Sequence, residues 1–394
     1  MKRRHFILRE LSDTAFITDG MIRPKSLGLE AIPSVGIEID ELDERQADLA
    51  RKDGNAVVGV AMLTNLVKPM ATNENSSPQS PWGIGAIGAD ASVFTGAGSS
   101  VAIFDTGIDR SHPAFASMGP DQIVEKDFTG TNNGDGSGHG THCAATVFGQ
   151  SVDGLRIGVA PGIKQAYIGK VLDDYGGGTS EMIFDALLWA VDEGVDVVSM
   201  SLGFDFPGQV QKAVQQYGYA PEQAASQTLV DFVENLRAFE AIMQLVQAKR
   251  PREEGSIVVA ATGNDSKEEY RISAALPGAS RGVISVGAID KPIAGSESLN
   301  TIATFSNSLP SVVAPGVDIL SAQSGGGLVE KNGTSMACPH VAGVAALWWE
   351  KVRKMPVPTT ADVVQERLLA ACRENVFAEN VRIVDRGRGM ITAP

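Results

Sequence analysis

The sequence predicts an α/β protein: a mainly parallel central sheet with helices on both faces, preceded by a small α+β unit. Three observations lead there. From Trp82 onward, short β-type runs alternate with helical stretches, which is how a chain builds parallel strands. Hydrophobic residues make up 43% of 394 residues, enough for a large core. A polar stretch rich in Ser, Asn and Pro, ATNENSSPQSP at 71–81, separates this region from what precedes it.

The elements follow in order. Residues 1–70 open with an apolar segment near Phe6–Leu8. A charged stretch of helical character follows, LDERQADLARKDGN, and then the apolar run AVVGVAMLTNLV. Residues 71–81 read as a linker, and residues 82–394 as the main domain. In that domain SVAIFD (Ser100–Asp105) is a buried-strand candidate ending in a Thr-Gly turn, and KQAYIGKVL, VDVVSMSL, GSIVVAATGN and GVISVGAID are further strands. EMIFDALLWAVDEG is an amphipathic helix between them. A longer helix begins at Pro221, with Leu229, Phe232, Val233, Leu236, Ile242, Met243 and Val246 spaced for one buried face. No repeat of 20–50 residues is present.

Composition removes several function classes. A formal net charge of −14 leaves no broad basic face for nucleic acid. Three cysteines, Cys143, Cys338 and Cys372, are too few and odd in number for a disulfide framework, and they fit a reducing compartment. At the N-terminus Phe6–Ile7–Leu8 runs straight into Arg9 and Glu10, so no apolar stretch of secretory length forms, and no other run is long enough to span a bilayer. The expectation is a cytoplasmic protein as written, or a secreted one if a leader has been removed.

Four segments carry chemistry. Asp105 ends an apolar strand, on the edge where parallel sheets build their sites, although an acid there also serves as a turn former. His139 and His142 lie in GDGSGHGTHCAATVFG. Their H-x-x-H spacing invites a metal, but the glutamate of H-E-x-x-H is missing, and glycines around His139 suit the close approach of another backbone. Ser335 heads a run of helix formers in NGTSMACPHVAGVAALWWEKV. That is a capping position, and equally one where helix N–H groups favour developing negative charge. Asn264, after the strand in IVVAATGNDS, either makes a turn or offers an N–H to an oxyanion.

Taken together, DTGID, HGTH and GTSMACPHVAG in this order resemble the subtilisin-like (subtilase, peptidase S8) serine proteases, from about Trp82 to Ile391. The resemblance implies a three-layer fold and a serine endopeptidase. Asp105 would orient His139, His139 would take the Ser335 proton, and Ser335 would form an acyl-enzyme. Asn264 and the Ser335 backbone N–H would hold the oxyanion. It implies substrate pairing along Ser201, Leu202 and Gly203 on one side and Gly176, Gly177 and Gly178 on the other. Ala261, Gly263 and Ala275 would line an uncharged first pocket, giving a preference for apolar residues before the cut. Cys143 and Cys338 would pack beneath the site.

The resemblance also frames what differs. Ala114 stands where many relatives hold calcium with Asp, and FGQSVDGLRIGVAP lacks the usual asparagine. No cofactor is therefore expected to be required; the common high-affinity calcium site is expected to be missing, and weaker sites stay open. Residues 1–70 resemble an inhibitory prosegment, a zymogen device cut within Lys68–Pro81; a small unprocessed domain is the alternative. The 204–255 stretch is expanded and helical, with no role assigned. Expected partners are protein or peptide substrates and the chain's own N-terminal segment, with neither nucleic acid nor membrane. Two other outcomes share this scaffold: a peptide ligase or macrocyclase, and a non-proteolytic binding module. A dinucleotide-binding oxidoreductase lacks its G-x-G-x-x-G near the first strand.

Overall fold

A computed structural model describes residues 2–11, 34–54, 56–67, 69–70, 81–249, 255–292 and 299–394. Residues 71–80 of the 71–81 linker thus lie outside the described residues. The N-terminal unit contains β1 (Arg3–Leu11), β2 (Ser34–Leu42), α1 (Glu44–Arg51), β3 (Ala56–Val60) and β4 (Leu63–Leu66). The first three of those strands form an antiparallel sheet in the order β2-β1-β3. Strand β2 has no counterpart among the sequence expectations, although VGIEID alternates apolar with polar as half-buried strands do. Helix α1 starts where Asp43 and Gln46 exchange side-chain and backbone hydrogen bonds, a capping box.

The main domain begins with α2 (Trp82–Ala86), β5 (Ser100–Asp105), β6 (Ile123–Asp127), α3 (His139–Phe148) and β7 (Gln165–Lys170). It continues through β8 (Gly177–Thr179), α4 (Ser180–Asp192), β9 (Val197–Met200) and β10 (Leu202–Phe204). Next come α5 (Phe206–Tyr217), α6 (Pro221–Lys249), β11 (Ile257–Ala261), β12 (Val283–Ile289) and β13 (Val312–Pro315). The hairpin β14 (Ile319–Ala322) and β15 (Leu328–Lys331) precedes α7 (Thr334–Arg353), α8 (Ala361–Ala370) and α9 (Ile383–Arg386).

Seven strands make one parallel sheet, ordered β13-β12-β11-β9-β5-β7-β6. Side chains alternate across it. Val101 and Ile103 of β5 enter a core shared with α3, α7 and α8, while Ala102 and Phe104 enter a second core with α4 and α6. This is the three-layer arrangement expected. Among the described residues, no helix is long and apolar enough to cross a membrane.

Helix α6 corrects one expectation. Ile242, Met243 and Val246 are buried, but Leu229 is 55% exposed, and Phe232, Val233 and Leu236 are half-buried. Its buried face begins instead with Ala224, Thr228, Asp231 and Asn235. The reason is what covers it. Asn235 Nδ2 donates to Val60 O (2.7 Å), Arg3 pairs with Asp231, and the neighbouring Arg4 Nε lies 2.8 Å from Glu181 Oε1 of α4. Phe6 and Leu8 of β1 complete the contact, with Phe6 edge-on to Phe184 at 5.2 Å. The 204–255 stretch therefore supports the N-terminal unit, so half of its longest helix buries polar groups that an apolar periodicity does not reveal.

Candidate active site

Parallel strands bring their carboxyl ends to one edge, and the site forms there. Asp105 is the last residue of β5. Its Oδ1 accepts from Thr106 N (2.8 Å) and lies 2.8 Å from His139 Nδ1, with Oδ2 at 3.0 Å from the same nitrogen. His139 opens α3, and both side chains are at most 1% exposed. A second buried acid fixes their spacing. Asp135 accepts from Thr106 Oγ1 and Gly138 N through Oδ1, and from Thr141 N and Oγ1 through Oδ2, all at 2.6–2.8 Å. One carboxylate thereby ties the turn after β5 to the first turn of α3.

Ser335 lies in the first turn of α7, which crosses beneath the sheet. Its hydroxyl donates to Val67 O at 2.9 Å, with Ser201 O farther away at 3.4 Å. His139 Nε2 is buried without a hydrogen-bond partner. A buried ring nitrogen left without a partner is costly and uncommon, and such a group calls for an explanation.

Asn264 follows β11 and is clasped by α7. Its Oδ1 accepts from Thr334 N (2.9 Å) and Thr334 Oγ1 (2.8 Å), which sets the orientation of the amide. Gly333 leaves room for it: a Cβ there would lie 2.9 Å from Asn264 Nδ2. The turn carrying Asn264 is braced by Asn307, itself buried. Asn307 Oδ1 accepts from Asp265 N and Ser266 N (both 3.0 Å), its Nδ2 donates to Thr262 O (3.1 Å), and its backbone N donates to Gly263 O (3.1 Å). Thr334 and Asn307 were not among the sequence candidates. Thr334 lies inside GTSMACP beside Ser335, a signal that was available; Asn307 in FSNS carries none.

The predicted pairing strands enclose a segment of the chain itself. Strand β4 runs antiparallel between β10 and β8, with Leu66 opposite Leu202, Asn65 opposite Gly203 and Thr64 opposite Gly178. Leu66 N donates to Gly176 O (2.8 Å), and Val67 N to Ser201 O (3.4 Å). Beyond the serine, Met70 N donates to Asn332 O (2.8 Å). Gly176, Gly177, Gly178, Ser201, Leu202 and Gly203 thus all lie along this segment. Ala275 and Val67 flank the same face of Gly203: a Cβ there would be 3.7 Å from Ala275 Cβ and 3.9 Å from Val67 Cγ2. Ala261 is buried in the core at the end of β11, and Gly263 N donates to Thr334 Oγ1 (3.2 Å).

Both neighbouring thiols are fully buried. Cys143 Sγ lies 3.7 Å from His139 Nδ1 and 3.4 Å from Ser335 O; Cys338 Sγ lies 3.5 Å from Ser199 Oγ. Burial pushes the Cys338 thiol up to about 11 and raises Cys143 well above the usual range, so neither is poised as a nucleophile. His142 faces away from His139, with Nε2 at 3.0 Å from Ile319 O, and burial holds its pKa well below the ordinary value. The H-x-x-H pair does not converge. Among the described residues, the one cluster of three metal-ligating side chains is Asp105, His139 and Cys143.

Comparison with known proteins shows the family. Residues 96–383 match the model of the Subtilase family. Subtilisin DY of Bacillus licheniformis is 34% identical over 272 residues, covering 68% of this chain and 83% of the relative. Subtilisin of Bacillus pumilus is 34% identical over 289 residues, covering 72% and 88%. An intracellular serine protease of Paenibacillus polymyxa is 34% identical over 259 residues, covering 64% and 67%.

Proposed function

From a chain that belongs to the subtilase family and is a serine-type endopeptidase, we propose that Asp105, His139 and Ser335 perform the hydrolysis and that residues 1–67 restrain it. The contact of Ser335 Oγ with Val67 O, at 2.9 Å and one residue past an antiparallel strand pairing, carries the reading. It puts the Val67 carbonyl against the nucleophile, which supports a cut just after Val67, next to the Lys68–Pro81 range expected from sequence.

The chemistry follows from the contacts. Asp105 holds the Nδ1 side of His139 and leaves Nε2 facing the cleft as the proton acceptor. The Ser335 hydroxyl, released from Val67 O, gives its proton to that nitrogen and attacks the carbonyl carbon, first of Val67 and then of each substrate that follows. Nε2 hands the proton to the departing amine. It then takes a proton from water, which attacks the acyl-enzyme, releases the acid and leaves Ser335 protonated again. Asn264, its Oδ1 committed to Thr334, directs Nδ2 towards the oxyanion. Val67 beside Gly203 and Ala275 favours apolar residues before the cut. Calcium enters no step. At Ala114 the side chain is a buried methyl, and the carbonyl already accepts from Gln150 N (2.8 Å), so the residues there do not suit the ion.

A fluorophosphonate probe followed by peptide mapping tests the assignment. Label is expected on Ser335 and is expected to vanish in His139→Ala. Label elsewhere, or label that persists without His139, would sink it.

A further inference from the structure

We propose that the start of the 204–255 stretch forms a selective subsite, in which Asp205 chooses a hydrogen-bond-donating or basic side chain at the third residue before the cut. This rests on β4 being bound as a substrate is bound. Strand β10 ends at Phe204, and the sheet edge there turns into α5. The bound segment is nevertheless followed further. Asp205 N donates to Leu63 O (2.9 Å), and Gln209 Oε1, on a side chain only 4% exposed, accepts from Leu63 N (3.4 Å). Both backbone groups of Leu63 are therefore met by the first turn of a helix in place of a strand.

The same turn reads a side chain. Asp205 caps α5, its Oδ1 accepting from Gly208 N at 2.8 Å, and this bond fixes the rotamer. Its Oδ2 is thereby aimed at the bound strand and accepts from Asn65 Nδ2 at 2.7 Å. Gly208 permits the arrangement, because a Cβ there would lie 2.0 Å from Asp205 Oδ2. Asn65 is two residues before Val67, so it occupies the third place before the Val67–Lys68 bond. A carboxylate held there favours amide, ammonium or guanidinium groups and repels acids.

The full chain tests this through the rate at which fluorophosphonate labels Ser335 and through amide exchange of residues 63–67. Asn65→Asp sets two carboxylates face to face and is expected to speed both about tenfold. Adding Asp205→Asn, which keeps a good helix cap, is expected to restore the original rates. Leu-Thr-Xaa-Leu-Val p-nitroanilides should be cleaved fastest with Lys or Asn at Xaa and slowest with Asp. Equal rates in all variants, or effects of the two substitutions that simply add, would overturn the subsite. If Ser335 takes no label in any variant, the catalytic reading fails instead, and the exchange pattern alone still decides the subsite.

Discussion

The floor and the walls of the cleft are built on different terms. On the floor, Asp105, His139 and Ser335 are at most 1% exposed; Asp105 and His139 are fixed by bonds made within the main domain, whereas the Ser335 hydroxyl donates to Val67 O. The walls, β8 and β10, are three residues each, β8 half-buried and β10 buried at Leu202 and Phe204, and β4 supplies the strand between them. The floor needs particular residue types at particular atoms. The walls need mostly backbone, and they take any chain that extends in register. Chemistry is thus assigned to a few positions, whereas recognition is spread along a main chain, with Asp205 as the charged reader proposed above.

Four changes separate the two regions, beginning with the largest effect. Ser335→Ala is expected to cut turnover about 10⁶-fold, a figure that is subtilisin's own and not read from this geometry. Intact mass should show its N-terminal segment retained while the wild-type chain loses it. Asn264→Ala should lower kcat about 10²–10³-fold with little change in KM, again by the measure of subtilisin. Asn307→Ala should lower kcat about tenfold alone and nothing further when Asn264 is already Ala, since it acts through that turn. An effect that persists in the double variant would make Asn307 a general stabiliser.

A wall substitution should behave in the opposite way. Gly176 has φ +82, and a Cβ there would lie 2.9 Å from Leu66 Cβ, so Gly176→Ala is expected to raise KM about tenfold at nearly constant kcat. Gly177→Ala meets nothing closer than 3.6 Å and serves as the control. Equal losses of kcat in both would erase the distinction between floor and wall.

The smallest effect concerns pH. His340, one helical turn and a half beyond Ser335 in α7, is held by burial at a pKa of about 4. The unfolded chain takes up its proton near pH 6.5, and the folded chain does not. Stability is therefore complete above about pH 6.5 and falls by roughly 3 kcal/mol on the way to pH 4. Thermal melts of Ser335→Ala across this range should show the decline, and His340→Gln should flatten part of it. His142, also depressed by burial, adds to the same slope.

The floor was legible in the sequence because proton transfer tolerates few substitutes. DTGID, GHGTHC and GTSMACPH place Asp105 at a strand end and His139 and Ser335 at helix starts. The walls were legible only as strands, since SMSLG and GGGT announce pairing without naming the partner. That the N-terminal segment would be the partner came only from its resemblance to a prosegment, and Leu63–Leu66 itself carried no mark, because main-chain pairing leaves almost no side-chain signature. Likewise, the spacing of Leu229 to Leu236 indicated a buried face, yet what covers that half of α6 is an arginine-bearing strand that pairs with Asp231. Interfaces made of ions and carbonyls escape a reading founded on apolar periodicity.

The segment lying across Ser335 is anchored very unequally on its two sides. Upstream it continues into three paired strands, two arginines and Phe6; downstream the described residues show a single bridge, Met70 to Asn332. Under the proposed cut after Val67, the two new ends would part on separate clocks, with the upstream piece, more heavily anchored, remaining longer as a bound product. The delay before full turnover would then be governed by an off-rate and not by bond breaking, which makes latency a matter of residence time.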